Sequence, residues 1–472
     1  MSIATRHAPQ QTMPLINIYP EVLDLILDYL SAEELALLSR TTPDLEQPLL
    51  EHLVRRAQYN GSYIETVQRT SRQLAKLESR HNDARMPVAA GDSESSFFVT
   101  EDGKLKYVEN SDTFHCSDVN VQYLQNRTIK SVFFRGNIWA AITQQGEVYT
   151  CYGDGFLQQN QTPFTVISLP TLVHIPELVI SLAVGLNHSL AVTESGALVS
   201  WGYSEHGQCG HGITSSEYST PQFVQGIGRV RNASAGSLHS LAITEDGALY
   251  SFGCGTRGQL GHGTVAPGNT TTPLCEGGYE STPSPKKVNF DFHMGGRHRE
   301  HVVGTAAGIN HSVALTADGR VYTWGDNEVG QLGMSECIVT IAVPQLVGYI
   351  GGAGGFNGIN KTKVCRVATG WESSFAITES GELFHWGLNR DELVVHDDIM
   401  DMDSRKYYNS FPYAVQAIGK HVIVAVSSAS THTIAVTDRG EVYGCTNGVH
   451  LSPSTWRKYD NIQCVKPFPR HT

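Results

Sequence analysis

The chain has 472 residues, 46 of them glycine, and only 17% are charged, a balance that suits a turn-rich β protein better than a helical one. Its formal charge of −12 offers a phosphate backbone no net attraction, and no run of about 18 apolar residues could span a bilayer, so neither nucleic acid nor membrane is an expected partner. The nine cysteines are odd in number, scattered and never spaced C-x-x-C, which argues against a disulfide framework or zinc ribbon and for a reducing compartment, cytoplasmic or nuclear.

Residues 1–16 lack the apolar core of a secretory signal and read as a disordered tail. Residues 17–58 predict three short helices. Pro20 suits a first helical turn and Glu21 its positive end. The run from Val22 to Leu30 carries only Asp24 and Asp28 as charges, so this helix is apolar around most of its circumference. Ser31 with Glu34 forms a capping box for a second helix over 32–40, and Pro48 opens a third through Leu49, Leu50, Leu53 and Val54. Three such helices have too little interior to bury that much apolar surface. The surplus is expected either to cap the rest of the chain or, as the sharper reading, to meet a partner.

The residues Pro20, Glu21, Val22, Leu23, Ile26, Leu27, Tyr29, Leu30, Leu35 and Leu38 make this segment resemble an F-box. The resemblance implies that they dock on a Skp-type adaptor and, through it, on a cullin of a ubiquitin ligase, an amphipathic surface laid against a partner's helices. Residues 59–85 are polar and predicted helical after Gly61, with Ile64, Val67, Leu74 and Leu77 turned towards the remainder of the chain as a connector.

From 86 to 472 the chain repeats itself. The stretch AVGLNHSLAVTESGALVSWGYSEHGQCGHG (183–212) recurs strongly at 234–263 and 306–334, more weakly at 368–394 and 427–448, and faintly at 133–155 and 89–111. The turn glycine of each unit falls at 103, 146, 196, 247, 319, 381 and 440, and the shortest steps match the 40–50 residues of a propeller blade. Each unit reads as a β hairpin: Ser189 to Thr193, a tight turn at Gly196, then Ala197 to Trp201. A hairpin cannot bury its apolar face alone, whereas repeated units closing a ring can.

One segment tests that reading. In SFGCGTRGQLGHG (251–263), Gly253, Gly255 and Gly258 spell the fingerprint of a dinucleotide-binding loop. Gly253, Gly258 and Gly261 nevertheless align with Gly202, Gly207 and Gly210 of the unit before and with Gly325, Gly330 and Gly333 of the unit after. No helix is predicted behind them to hold a phosphate. The glycines belong to the repeat, and no cofactor is expected.

The pattern A-G-x-x-H-S-x-A-[VIL]-T-x-x-G-x-[VL]-[YF]-x-W-G-x-x-x-x-G-Q-L-G is similar to the repeat of the regulator of chromosome condensation family. The fold expected is therefore mainly β, a seven-bladed β-propeller of RCC-type repeats preceded by a small all-α F-box segment. The run Gln463-Cys-Val-Lys-Pro-Phe468 is a candidate for closing the ring.

His188, His239, His311 and His432 hold one place in four units, where Ser95, Ile138 and Ser373 stand in the others. Each belongs to a different unit and Ile138 is apolar, so a histidine hydrogen-bonded within its own blade is expected rather than a metal ligand. Cys209-Gly-His211 looks ligand-like but aligns with Leu260-Gly-His262 and Leu332-Gly-Met334, which favours a structural role. No motif proposes a nucleophile or a base, so a non-catalytic protein is expected.

Insertions at 264–301, 348–363 and 388–413 are expected between repeats, in blade-connecting loops. The loop residues Tyr203, Glu205, His206, Arg257, Asn327, Glu328, Asn389 and Arg390 are the candidates for substrate contact. With both resemblances, the expected function is the substrate-recognition subunit of a Skp–cullin–F-box ligase, the propeller holding the protein to be ubiquitinated. The propeller resemblance alone implies an alternative, nucleotide exchange on a Ran-like GTPase. A scaffold outside any ligase is the third.

Overall fold

The computed structural model describes residues 88–463 apart from segments between strands, the longer of which are 153–169, 264–280, 291–300, 349–362, 389–407 and 447–455. The helices expected over 17–58 and the connector over 59–85 lie outside the described residues. The chain divides into two units, and the described residues all belong to the one running from Asp83 to Pro469.

The strands form seven four-stranded antiparallel sheets, each built from four consecutive strands. In chain order the sheets span 88–118, 129–173, 179–223, 230–287, 302–346, 364–414 and 423–463. The third shows the local logic. Its strands are Val179–Val184, His188–Thr193, Leu198–Ser204 and Ser215–Phe223. The second of these is buried along its whole length, as are its counterparts in the fourth and fifth sheets, because neighbouring sheets cover both of its faces. Its hairpin closes with Gly196 at φ 85°, a left-handed conformation natural to glycine. Thr193 ties the turn, its hydroxyl accepting from the Ala197 amide at 3.1 Å.

One apolar cluster fills each gap between successive sheets. Leu182, Ala191 and Trp201 meet Ile138, Ala140 and Ile142 between the second and third sheets. Phe252 reaches Leu190 and Val192 between the third and fourth, and Trp324 meets Leu241 and Ile243 between the fourth and fifth. Phe98 of the first sheet packs with Val424, Ile434, Val436 and Val442 of the last. The β-propeller therefore closes on itself by face packing. Gln463 ends the outer strand of the last sheet, and among the described residues no strand is exchanged between the first and last sheets, since each is made of consecutive strands.

The recurring histidines need a correction. They bond to the next sheet, not to their own. Ser240 Oγ donates to the Gln208 carbonyl at 2.7 Å, so it can only accept from His188, whose Nε2 lies 2.9 Å away. The same relay runs from His239 to Ser312 to the Gln259 carbonyl and from His311 to Ser374 to the Gln331 carbonyl. Three consecutive interfaces are thus latched by a histidine from one side and a serine from the other. The second sheet has no such latch towards the third, because Ile138 stands in the histidine place, and Ser189 Oγ is left buried with no partner. There Arg135 occupies the place of Gly185 and donates from Nη1 to the carbonyls of Ala235 and Ala307, at 2.9 and 2.5 Å, in the fourth and fifth sheets. The side chain of His432 lies outside the described residues.

The insertions need a second correction. The sequence from 264 to 301 is not one loop between repeats: it contains Thr282–Lys287, the outer strand of the fourth sheet, and 388–413 likewise contains most of Tyr408–Ala414 of the sixth. Two prolines in Thr-Pro-Ser-Pro-Lys-Lys hide the first of these from pattern reading. They are tolerated because an outer strand pairs on one side only.

Candidate functional site

Strands alternate in direction, so the loops between first and second strands and those between third and outer strands all open on one rim of the ring. Of the residues singled out between 203 and 328, Tyr203 lies near the end of a third strand and the others sit on the second kind of loop, in the third, fourth and fifth sheets. The repeat makes these loops rigid. The side-chain oxygen of Gln208 accepts from the His206 amide at 3.0 Å, that of Gln259 from the Arg257 amide at 2.8 Å, and that of Gln331 from the Val329 amide at 3.0 Å. The backbone carbonyls of the same glutamines accept the latch serines of the following sheet. Trp324 adds its indole N–H to the Gln259 carbonyl at 2.9 Å, above Gly261, where a Cβ would come within 2.8 Å of that nitrogen. The glycine run at 251–263 is therefore a loop seated under a tryptophan. Each loop is held by these bonds, with some side chains turned inward, such as Cys209, Leu260 and Leu332, and others, such as Glu205, Arg257 and Glu328, left to solvent.

What they present is charge and some apolar surface. Arg257 reaches across to the fifth sheet, its Nη1 2.6 Å from Glu328 Oε1 and 3.9 Å from Asp326 Oδ1. Asp326 is 6% exposed, and burial, reinforced by Glu328, pushes its carboxyl above the usual carboxylate range. In the third sheet Tyr203 donates its hydroxyl to Glu205. Ile213 and Val339 stand 66% and 54% exposed on the same rim.

The structure brings Arg257 and Glu328 together and sets Tyr203 beside Glu205, with His206 on the same loop. Asn327 is corrected: it is buried, its amide donating to the Ile338 carbonyl at 2.6 Å and its oxygen accepting from the Leu332 amide at 3.0 Å. That side chain holds its loop and is closed to a partner by burial. Asn389 and Arg390, like the ten residues of the F-box resemblance, lie outside the described residues. Sequence reading missed Asp326, Ile213 and Val339. Asp326 had a signal, since it directly follows the aromatic-Gly pair of its unit, where other units carry Tyr203, Cys254 and Leu388.

His211, read as structural, hydrogen-bonds to Ser200 Oγ at 3.0 Å within its own sheet. Among the described residues no group of three or more His, Cys, Asp or Glu is placed to hold a metal ion. The buried histidines are electrostatically quiet. Burial, then the charge of Arg135, lowers His188 and His311 to about 3, and His239 falls well below its ordinary value for the same reasons.

The profile of the regulator of chromosome condensation (RCC1) repeat matches residues 179–208, 230–259, 302–331 and 364–391, and a second profile of the same repeat matches 195–243, 246–315 and 318–377. The mouse (Mus musculus) E3 ubiquitin-protein ligase HERC2 is 30% identical over 317 residues, which is 66% of this chain but 6% of that protein. The ultraviolet-B receptor UVR8 of Arabidopsis thaliana is 29% identical over 369 residues, 77% of this chain and 74% of its own. Among solved structures, Prp20p from Saccharomyces cerevisiae, described with its binding to Gsp1p and histones, superposes with a TM-score of 0.54 at 17% identity, over 77% of this chain and 82% of that one. That likeness is one of fold.

Proposed function

We propose, for a chain whose RCC1-type repeats fold as a β-propeller, that it is a non-catalytic receptor which presents proteins to a Skp–cullin–F-box ubiquitin ligase. The observation that carries this reading is the pairing, in one chain, of the apolar pattern from Pro20 to Leu38 with a propeller whose rim loops are rigid and charged. The first would engage a Skp-type adaptor; the second offers the broad, preorganised surface that protein recognition uses. The presence of the same repeats in a ubiquitin ligase, HERC2, supports the reading. In this receptor the catalytic chemistry belongs to other subunits, and the propeller's task is to hold a protein at a fixed distance from the ubiquitin donor.

Calorimetric titration of the full chain with a Skp-type adaptor tests it, with Leu30→Asp as the control. Binding that the variant loses supports the receptor. No binding by folded wild-type chain overturns it, and nucleotide release from a Ran-like GTPase is then the assay that decides the alternative.

A further inference from the structure

The position after the aromatic-Gly pair of the third to sixth sheets lies at the base of the rim loop, half-buried at Tyr203 and Leu388 and buried at Cys254. Tyr203, Cys254 and Leu388 fill it in three sheets, so the repeat itself does not require a carboxylate there, although the one in the fifth sheet also takes backbone hydrogen bonds from Asn327 and Glu328. In the fifth sheet it holds Asp326, more than nine-tenths buried, with Oδ1 accepting no hydrogen bond. Burying a charge without full compensation is costly, and such groups gather at functional sites. The nearest cation does not discharge it. Arg257 gives its short contact to Glu328 and leaves Asp326 Oδ1 3.9 Å away. One guanidinium therefore serves two carboxylates, with Glu328 and Arg257 about half exposed above the buried acid and the apolar Val339 exposed beside them on the same loop.

We infer that this rim, where the fourth and fifth sheets meet, receives a basic segment of a protein partner, an arginine or lysine pairing with Glu328 next to an apolar residue that covers Val339. The arrival of that cation frees Arg257 to close on Asp326 Oδ1, so that two carboxylates end with two cations. The negative charge of the whole chain steers such a partner towards it. This assignment rests on the receptor reading in that the partner is the recruited protein, and it names that protein's chemistry: cationic and apolar residues side by side.

The test uses the full chain and a synthetic peptide alternating arginine and leucine, with a glutamate–leucine peptide as counterpart, read by fluorescence anisotropy at low and high salt. Glu328→Gln and Asp326→Asn are expected to weaken the basic peptide at least about tenfold. Asp318→Asn removes the same charge from the hairpin turn on the opposite rim, where Asp318 pairs with Arg320, and is expected to stay within about twofold. Asp326→Asn is also expected to leave the melting temperature unchanged or raised, which a purely structural acid would not do. Equal losses for Asp318→Asn and Glu328→Gln, no binding of the peptide by folded chain, or full affinity in Glu328→Gln would each overturn the inference. So would self-association that Glu328→Gln abolishes, since the rim would then belong to a second copy. Adaptor binding by the same variants separates the two readings: its loss with the peptide retained fails the receptor alone, and the reverse fails this site alone.

Discussion

The second and third sheets solve the same packing problem in different ways. In the third, Gly185 leaves room for the His188 ring: a Cβ on that glycine would lie 2.4 Å from His188 Cε1 and 2.6 Å from the Gly236 carbonyl. The histidine then reaches Ser240 in the next sheet. In the second, Ile138 replaces the histidine, and Arg135 replaces the glycine and spans to the fourth and fifth sheets instead. Between these two sheets the glycine and the histidine are exchanged together, and Ser189, the serine that a histidine at 138 would have served, is left unpaired. The recurring histidine is thus a device of the interface between sheets, not of the sheet that carries it.

Acid offers the largest effect. Unfolded histidines titrate near 6.5, so below that pH the unfolded chain takes up protons that the latched histidines refuse. Stability should fall as pH drops from about 6.5 towards the folded values near 3 for His188 and His311, by up to about 1.4 kcal/mol per pH unit for each histidine. Denaturant unfolding between pH 7 and pH 4.5 measures this. His188→Gln with His311→Gln should flatten the profile; an unchanged slope would mean that carboxylates dominate.

Trp324→Ala empties the fully buried contact between the fourth and fifth sheets and orphans one bond to the Gln259 carbonyl, an expected loss of about 3–5 kcal/mol. The melting temperature reports it.

Gly236→Ala should cost about 1–3 kcal/mol by overpacking, since its Cβ would sit 2.3 Å from His239 Cε1. Adding His239→Ala should recover part of that cost even though it deletes a latch. A double-mutant cycle showing simple additivity would break the link drawn here between the glycine and the histidine.

The smallest effects make the sharpest contrast. Ser240→Ala strands a buried N–H and a carbonyl and should cost about 1–3 kcal/mol, whereas Ser189→Ala removes a hydroxyl already without a partner and should be neutral or stabilising. Equal losses at the two serines would show that the latch contributes nothing.

Much of this was legible in the residues. The interval between turn glycines, the Thr-x-x-Gly hairpins and the Trp-Gly pairs declare a β repeat because each hairpin is a local event, set by turn chemistry and by apolar residues spaced for a strand. The outer strands were less legible: Thr282–Lys287 carries two prolines, and exposed edges bear no strong pattern. The sequence by itself also marked Tyr203, Glu205, Arg257 and Glu328 as loop residues with outward chemistry. Only the tertiary structure decided that His188 bonds to Ser240, 52 positions away, that Arg257 pairs with Glu328, 71 positions away, and that Asn327 turns inward while Asp326 lies buried beneath them. Those partners meet only because consecutive sheets pack face to face, and the distance between adjacent sheets, which no local pattern encodes, sets which side chains are shared and which are left unpaired.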